Sequence, residues 1–258
     1  MKNSTRIAGL FICLFITVSL TAQKRVNASK IMSDIKNGKD ITYRNATIVG
    51  ILDFTFMEEQ QKKLPKRNKR NWWNNSKDNK IKKQIKNSIS FENCTFEDNV
   101  FAYIHDEDTK YTFVANFEDN VTFKNCTFKE MTMFKYSHFE EKADFSNSKF
   151  KGESTFKYAD FKGDVRFSNT SYGESSTFKY SIFRNNVSFA NSVFKESATF
   201  KYAKFKDGVS FNKTRFEEDL DIKYTKVSGD FNIAGMHVEY DIDSKYTSIN
   251  GRKFNYNN

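Results

Sequence analysis

Residues 156–180 read FKYADFKGDVRFSNTSYGESSTFKY, a stretch that opens and closes on the same triplet. Phe156-Lys157-Tyr158 returns 22 residues later as Phe178-Lys179-Tyr180. Outward from there the triplet stands at Phe134-Lys135-Tyr136 and Phe200-Lys201-Tyr202, then decays to Ile222-Lys223-Tyr224 and Ser244-Lys245-Tyr246. Midway between these triplets, Asn125, Asn147, Asn169 and Asn191 keep the same interval. A fixed period of this length predicts a solenoid, in which each repeat packs only on its neighbours.

Large apolar residues subdivide the period. They fall at Phe123, Phe128, Phe134, Phe139, Phe145, Phe150, Phe156, Phe161 and Phe167, in steps of five and six, and the register runs on to Ile249. Two positions before them lie small or β-branched residues: Val121, Ala143, Val165, Val187 and Val209 in one column, Ala159, Ser181, Ala203 and Thr225 in another. Pairing at a period of two predicts short strands rather than helices. The stretches between, such as Lys151-Gly152-Glu153 and Lys206-Asp207-Gly208, have turn chemistry. Four such sides close one coil, and stacked coils lie about 4.8 Å apart.

Units such as Ala159-Asp160-Phe161-Lys162-Gly163 and Ala203-Lys204-Phe205-Lys206-Asp207 resemble the pentapeptide-repeat family, over about residues 41–250. The resemblance implies an all-β, right-handed, four-sided parallel β-helix. The chain departs from the family's five-residue side in alternating fives and sixes, which leaves the cross-section open.

Composition agrees with a thin, elongated core. Only 38% of the 258 residues are hydrophobic, yet 28 are Phe, so the few apolar positions are large. A single Pro and 10 Gly exclude a collagen-like or linker-like chain.

The expected domain plan has three parts. Residues 1–22 read as a signal peptide: Lys2 and Arg6 precede the apolar run Ile7 to Leu20, and Ala22 offers a small residue for cleavage. The run is short for a membrane span, so export to the periplasm or outside the cell is expected. Residues 23–40 read as a capping helix, with Ile31, Met32 and Ile35 at helical spacing and Gly38 as its stop. Residues 41–258 form the β-helix, interrupted by insertions at about 57–88 and 103–111.

The insertions and one repeat column hold the candidate sites. Residues 57–88 carry eleven Lys or Arg against three acidic residues, a net +8 that leaves the rod near neutral. Within them Lys62, Lys63, Lys66, Arg67, Lys69 and Arg70 run into Trp72-Trp73. Basic residues beside tryptophans suit an anionic membrane surface. Nucleic acid is not expected of an exported chain. Lys135, Tyr136, Lys157, Tyr158, Lys179, Tyr180, Lys201 and Tyr202 should line one outer face beside Thr155, Thr177 and Thr199. Such a strip suits an acidic polysaccharide, with sugars over the tyrosine rings; the bland alternative is that Tyr braces a corner and Lys keeps it soluble. The Asn column reads as a structural amide ladder.

Cys94 and Cys126 occupy equivalent positions in neighbouring coils and form a candidate disulfide, strained by parallel Cβ directions. His105-Asp106-Glu107-Asp108 resembles a loose cation site but lacks calcium or zinc spacing. No nucleophile, zinc or phosphate-loop motif is present, so neither metal, cofactor nor catalysis is expected. The expected function is a non-enzymatic exported scaffold that docks on an anionic envelope surface or polysaccharide. The alternatives are a polysaccharide-cleaving β-helix enzyme, or a spacer rod that dimerises through its C-terminal coil.

Overall fold

The computed structural model describes residues 23–64, 79–254 and 256. The expected signal peptide therefore lies outside the described residues, as do Lys66, Arg67, Lys69, Arg70, Trp72 and Trp73 of the basic insertion.

Four parallel sheets wrap one core. The first face stacks eight strands from Ile41–Arg44 to Phe231–Asn232, and the second stacks nine from Lys24–Asn27 to His237–Val238. The third stacks eight from Leu52–Asp53 to Ile242–Asp243. The fourth runs from Lys80–Ile85 to Ser248–Ile249 and ends on Arg252–Lys253, the one antiparallel addition to its path. From Val121 onward each strand pairs with the residue 22 later, as in Val121↔Ala143 and Phe161↔Phe183. The insertions only lengthen the step, so Tyr43 pairs with Phe91 and Phe91 with Phe123.

Most strands are two residues long because each side needs only one small and one large inward residue. The large ones form four stacks: Phe156, Phe178 and Phe200 lie 5.0 and 4.9 Å apart, nearly parallel. Neighbouring stacks meet edge-on, as Phe145 meets Phe156 at 5.3 Å and 78°. Both are preferred aromatic arrangements.

The alternation of fives and sixes follows from two kinds of corner. Strands are joined in turn by a four-residue turn and a three-residue bend. In each tight turn the third residue is left-handed: Asn125 at φ 53° and Asn147 at 58° between the first and second faces, Tyr136 at 64° and Tyr158 at 61° between the third and fourth. The turn closes by a backbone bond such as Ala159 N to Phe156 O at 2.9 Å. Asn tolerates this conformation better than most residues. The Asn column is thus a backbone requirement more than an amide ladder. Asn93 Nδ2 donates to Asn45 at 3.2 Å, but in later coils Lys213 and Gly235 fill the position at φ 53° and 68°.

Helix α1 (Ala28–Lys36) closes the first coil. Asn27 caps it by accepting from Ser29 N at 2.8 Å, and Ala28, Ile31 and Ile35 are buried against the core. At the other end Asn250-Gly251, both at positive φ, turn the chain back in a hairpin, and Phe254 packs edge-on against Phe231 at 5.2 Å. Asn-Gly is the favoured pair for such a two-residue turn. Among the described residues no helix is long and apolar enough to cross a membrane.

Candidate functional site: the lysine–tyrosine corner

The Phe-Lys-Tyr triplets form the tight turns between the third and fourth faces. Tyr136, Tyr158, Tyr180, Tyr202, Tyr224 and Tyr246 stack in one ladder with centroids 4.6 to 4.8 Å apart. A left-handed backbone is costly for a bulky residue, on the order of 1–3 kcal/mol. Ring stacking against both neighbours, at about 0.5–1.5 kcal/mol per pair, offsets it.

This packing overturns one expectation. Sugars cannot lie over the tyrosine faces within the ladder, because each inner face is covered by the next ring. What the ladder presents to solvent is ring edges and hydroxyls. The bare exception is Tyr246 at the last rung, 55% exposed. The threonines also turn inward to the backbone: Thr155, Thr177 and Thr199 accept from the amides of Lys157, Lys179 and Lys201 at 3.3 to 3.4 Å. These bonds brace the corner.

The lysines run beside the ladder. Each of Lys135, Lys157, Lys179, Lys201, Lys223 and Lys245 places Nζ 5.1 to 6.0 Å from the centroid of the tyrosine that follows it. Lys223 pairs with Asp243 at 3.3 Å, which raises its pKa. Among the described residues, Lys157, Lys179 and Lys201 have no carboxylate within ion-pair distance. Burial of the stem, and then the like charges of Lys135 and Lys179, depress the Lys157 pKa.

Both insertions emerge at this same corner. The first leaves the third face after Leu52–Asp53, forms the short helix α2 (Met57–Gln61) and returns as Lys80–Ile85 of the fourth face. The second leaves after Val100–Phe101 and builds a hairpin of Tyr103–His105 on Thr112–Phe117. Lys80–Ile85 pairs with Thr112–Phe117 over six residues, so the two insertions make one small platform. Lys80 Nζ lies 4.3 Å from the Tyr136 ring, and Lys135 Nζ lies 4.5 Å from the Tyr103 ring. Lys83 packs on Phe56 at 4.8 Å. Lys62 and Lys63, just past α2, are exposed. Sequence reasoning missed Lys80, Lys83 and Tyr103, which only the 22-residue register, continued through both insertions, could have aligned with the ladder.

The remaining candidates prove structural. Cys94 and Cys126 are buried, free thiols, so the candidate disulfide is absent. Cys126 Sγ donates to Phe91 O and Cys94 Sγ to Tyr43 O, at 3.4 and 3.6 Å. Their hydroxyl counterparts do the same, as Ser148 donates to Phe123 O at 2.6 Å. Burial pushes the Cys126 thiol up, which keeps it protonated. Asp106 of the His105–Asp108 run is held by Thr109 and by Gln61 of α2, and among the described residues no group of His, Cys, Asp and Glu could hold a metal ion.

The family profile described as pentapeptide repeats (9 copies) matches residues 134–182 and again 178–226, the most regular coils of the rod. This is a pentapeptide-repeat protein. Its β-helix therefore winds to the right with a quadrilateral section, and it is of a structural, scaffold type. No curated protein matches the chain, and no solved structure does.

Proposed function

We propose that this pentapeptide-repeat protein is a non-enzymatic scaffold that binds a linear polyanion, an acidic polysaccharide of the cell envelope, along its lysine–tyrosine corner. One observation carries this reading: Lys157, Lys179 and Lys201 stand one coil apart with no carboxylate partner among the described residues. Like charges on adjacent strands are unfavourable, and partial burial of Lys157 adds to that cost. A polymer with regularly spaced negative charge laid along the axis would supply what the row lacks. Lys80, against the Tyr136 ring, continues the basic surface onto the platform. The stacked tyrosines give the row a rigid backing, so little side-chain freedom is lost on binding. Export, read from residues 1–22, would bring the corner to such a polymer.

The test is binding of the purified protein to polygalacturonate and, separately, to vesicles of anionic phospholipid, across a salt series. Binding to the glycan that weakens with salt, and falls at least tenfold in a Lys157→Gln/Lys179→Gln/Lys201→Gln variant of unchanged melting temperature, supports the reading. Equal binding by that variant would overturn it. Vesicle binding that survives the triple change would move the docking surface to the basic insertion. A second pairing is supported at the far end, where Phe231, Ile233 and Val238 of the last coil are only partly buried. Two copies joined there would double the mass in light scattering, and a monomer at every concentration would exclude it.

A further inference from the structure

We propose that the groove between α1 and α2 binds a small apolar monocation, an amphiphile with a hydrocarbon body and a single ammonium group. The groove measures about 600 Å³, the size of a small-molecule site. Met32 of α1, Met57 of α2, and Ile51, Phe56, Phe101 and Ile104 of the first two coils supply its apolar lining. Ile51 stands 50% exposed there, at a turn position that is polar in most later coils, as at Asn99, Glu153 and Ser175, with Met131 the apolar exception. An isoleucine left in water at the floor of a concave site has apolar area to bury.

The polar part of the lining fixes the sign of the charge. Lys36 is the lysine of the wall, and its Nζ is taken by Glu59 at 2.7 Å, an ion pair that ties α1 to α2; Lys83, outside the wall, rests on the Phe56 ring at 4.8 Å. Asp53 and Glu58 are left. Asp53 accepts from Thr55 N, Thr55 Oγ1 and Met57 N at 2.8, 2.6 and 3.1 Å, so it is hydrogen-bonded in place. No basic side chain among the described residues lies within ion-pair distance of it, and its burial, with the like charge of Glu58, raises its pKa. A largely buried carboxylate without a cation is an unfinished arrangement. An ammonium in the groove would complete it while its hydrocarbon body covered Ile51 and Phe101. A carboxylate in the same place would meet two like charges. On a chain of formal charge +10 this acidic lining also sets the groove apart from the lysine–tyrosine corner.

The experiment titrates the purified protein with three probes of one chain length, octylammonium, octanol and octanoate, below their aggregation limits, by calorimetry. Octylammonium is expected to bind at one site per chain, at least tenfold tighter than octanol and tighter still than octanoate. Ile51→Lys, a change at an exposed position that puts a competing ammonium in the groove, should weaken octylammonium at least tenfold. Glu58→Gln, also at the surface, should weaken it severalfold, with both variants keeping the parent melting profile. The proposal falls if octylammonium does not saturate one site, if octanol or octanoate binds equally well, or if Ile51→Lys leaves the affinity unchanged.

Discussion

Lys135 Nζ lies 3.2 Å from the hydroxyl of Tyr103, so the hairpin inserted in the second coil is fastened to the first rung of the lysine–tyrosine ladder. Two features that are distant in the chain become one surface through that contact. The hairpin also leaves a defect in the core. Ser181 and Thr225 each donate their hydroxyl to the central Phe carbonyl of the coil before, Phe156 and Phe200, at 2.7 and 2.8 Å. Ser137 stands in the same column, but the matching carbonyl, Ala102 O, accepts instead from Ala115 N of the hairpin. The Ser137 hydroxyl is buried without a partner, and so is that of Tyr172.

Removing an orphaned hydroxyl should help. Ser137→Ala and Tyr172→Phe are each expected to raise stability by about 1 kcal/mol, whereas Ser181→Ala should lower it by about 1 kcal/mol. Urea melts of the three variants check this. A loss of stability in Tyr172→Phe would mean that the phenol finds a partner in solution.

The two kinds of tight turn should respond differently to substitution. Asn169, at φ 57°, makes its turn without depending on an amide contact along the axis. Asn169→Gly should change stability by less than about 0.5 kcal/mol, and Asn169→Ala should cost about 1–2 kcal/mol. Tyr180 adds stacking on both sides, 4.7 Å each, to the same backbone need. Tyr180→Gly should therefore remain destabilising by at least about 1 kcal/mol even though it relieves the strained φ. Equal melting of Tyr180→Gly and the parent would show that the ladder adds nothing to the fold.

Acid should loosen the N-terminal edge first. Glu97 receives Arg25 of the first strand at 3.0 Å and Lys129 at 3.4 Å, and hydrogen bonds from these two hold its carboxyl below the usual range. A carboxyl with a depressed folded pKa contributes stability that is complete above its unfolded pKa and lost as the pH falls through the folded one. The protection of the Lys24–Asn27 amides, their exchange rate set against the intrinsic rate at each pH, should fall as the pH drops below about 4. Glu97→Gln should show the lower protection already at neutral pH and lose its acid dependence. Acid-dependent protection that persists in that variant would place the responsible carboxyl elsewhere.

The two core thiols should be silent in the folded protein. Cys94 and Cys126 are each 1% exposed, so a thiol reagent should label neither within the time it labels free cysteine. After unfolding without reductant it should label both. Only one or no thiol released on unfolding would mean that the stacked pair can bend enough to bond.

Much of this was legible from periodicity. The 22-residue recurrence of Phe-Lys-Tyr and the columns of Phe and Val determined a four-sided stack, because a strand pattern repeated at constant length can bury its large residues only against its own copies. It also placed the lysines and tyrosines in rows, and the spacing of Ile31 and Ile35 marked the capping helix. Sequence could not show which way those rows face or what they touch. The left-handed φ that Asn and Tyr share at different corners is invisible in a residue name, and so is the covering of each tyrosine face by the next. That both insertions leave one corner and pair as strands depends on contacts between residues 80–85 and 112–117, which no local pattern connects. Periodicity thus determined the rod, since its order is short-range and repeated. The platform, the groove between α1 and α2, and the unpartnered lysines were decided by tertiary structure, since each depends on where non-repeating segments come to rest against the repeat.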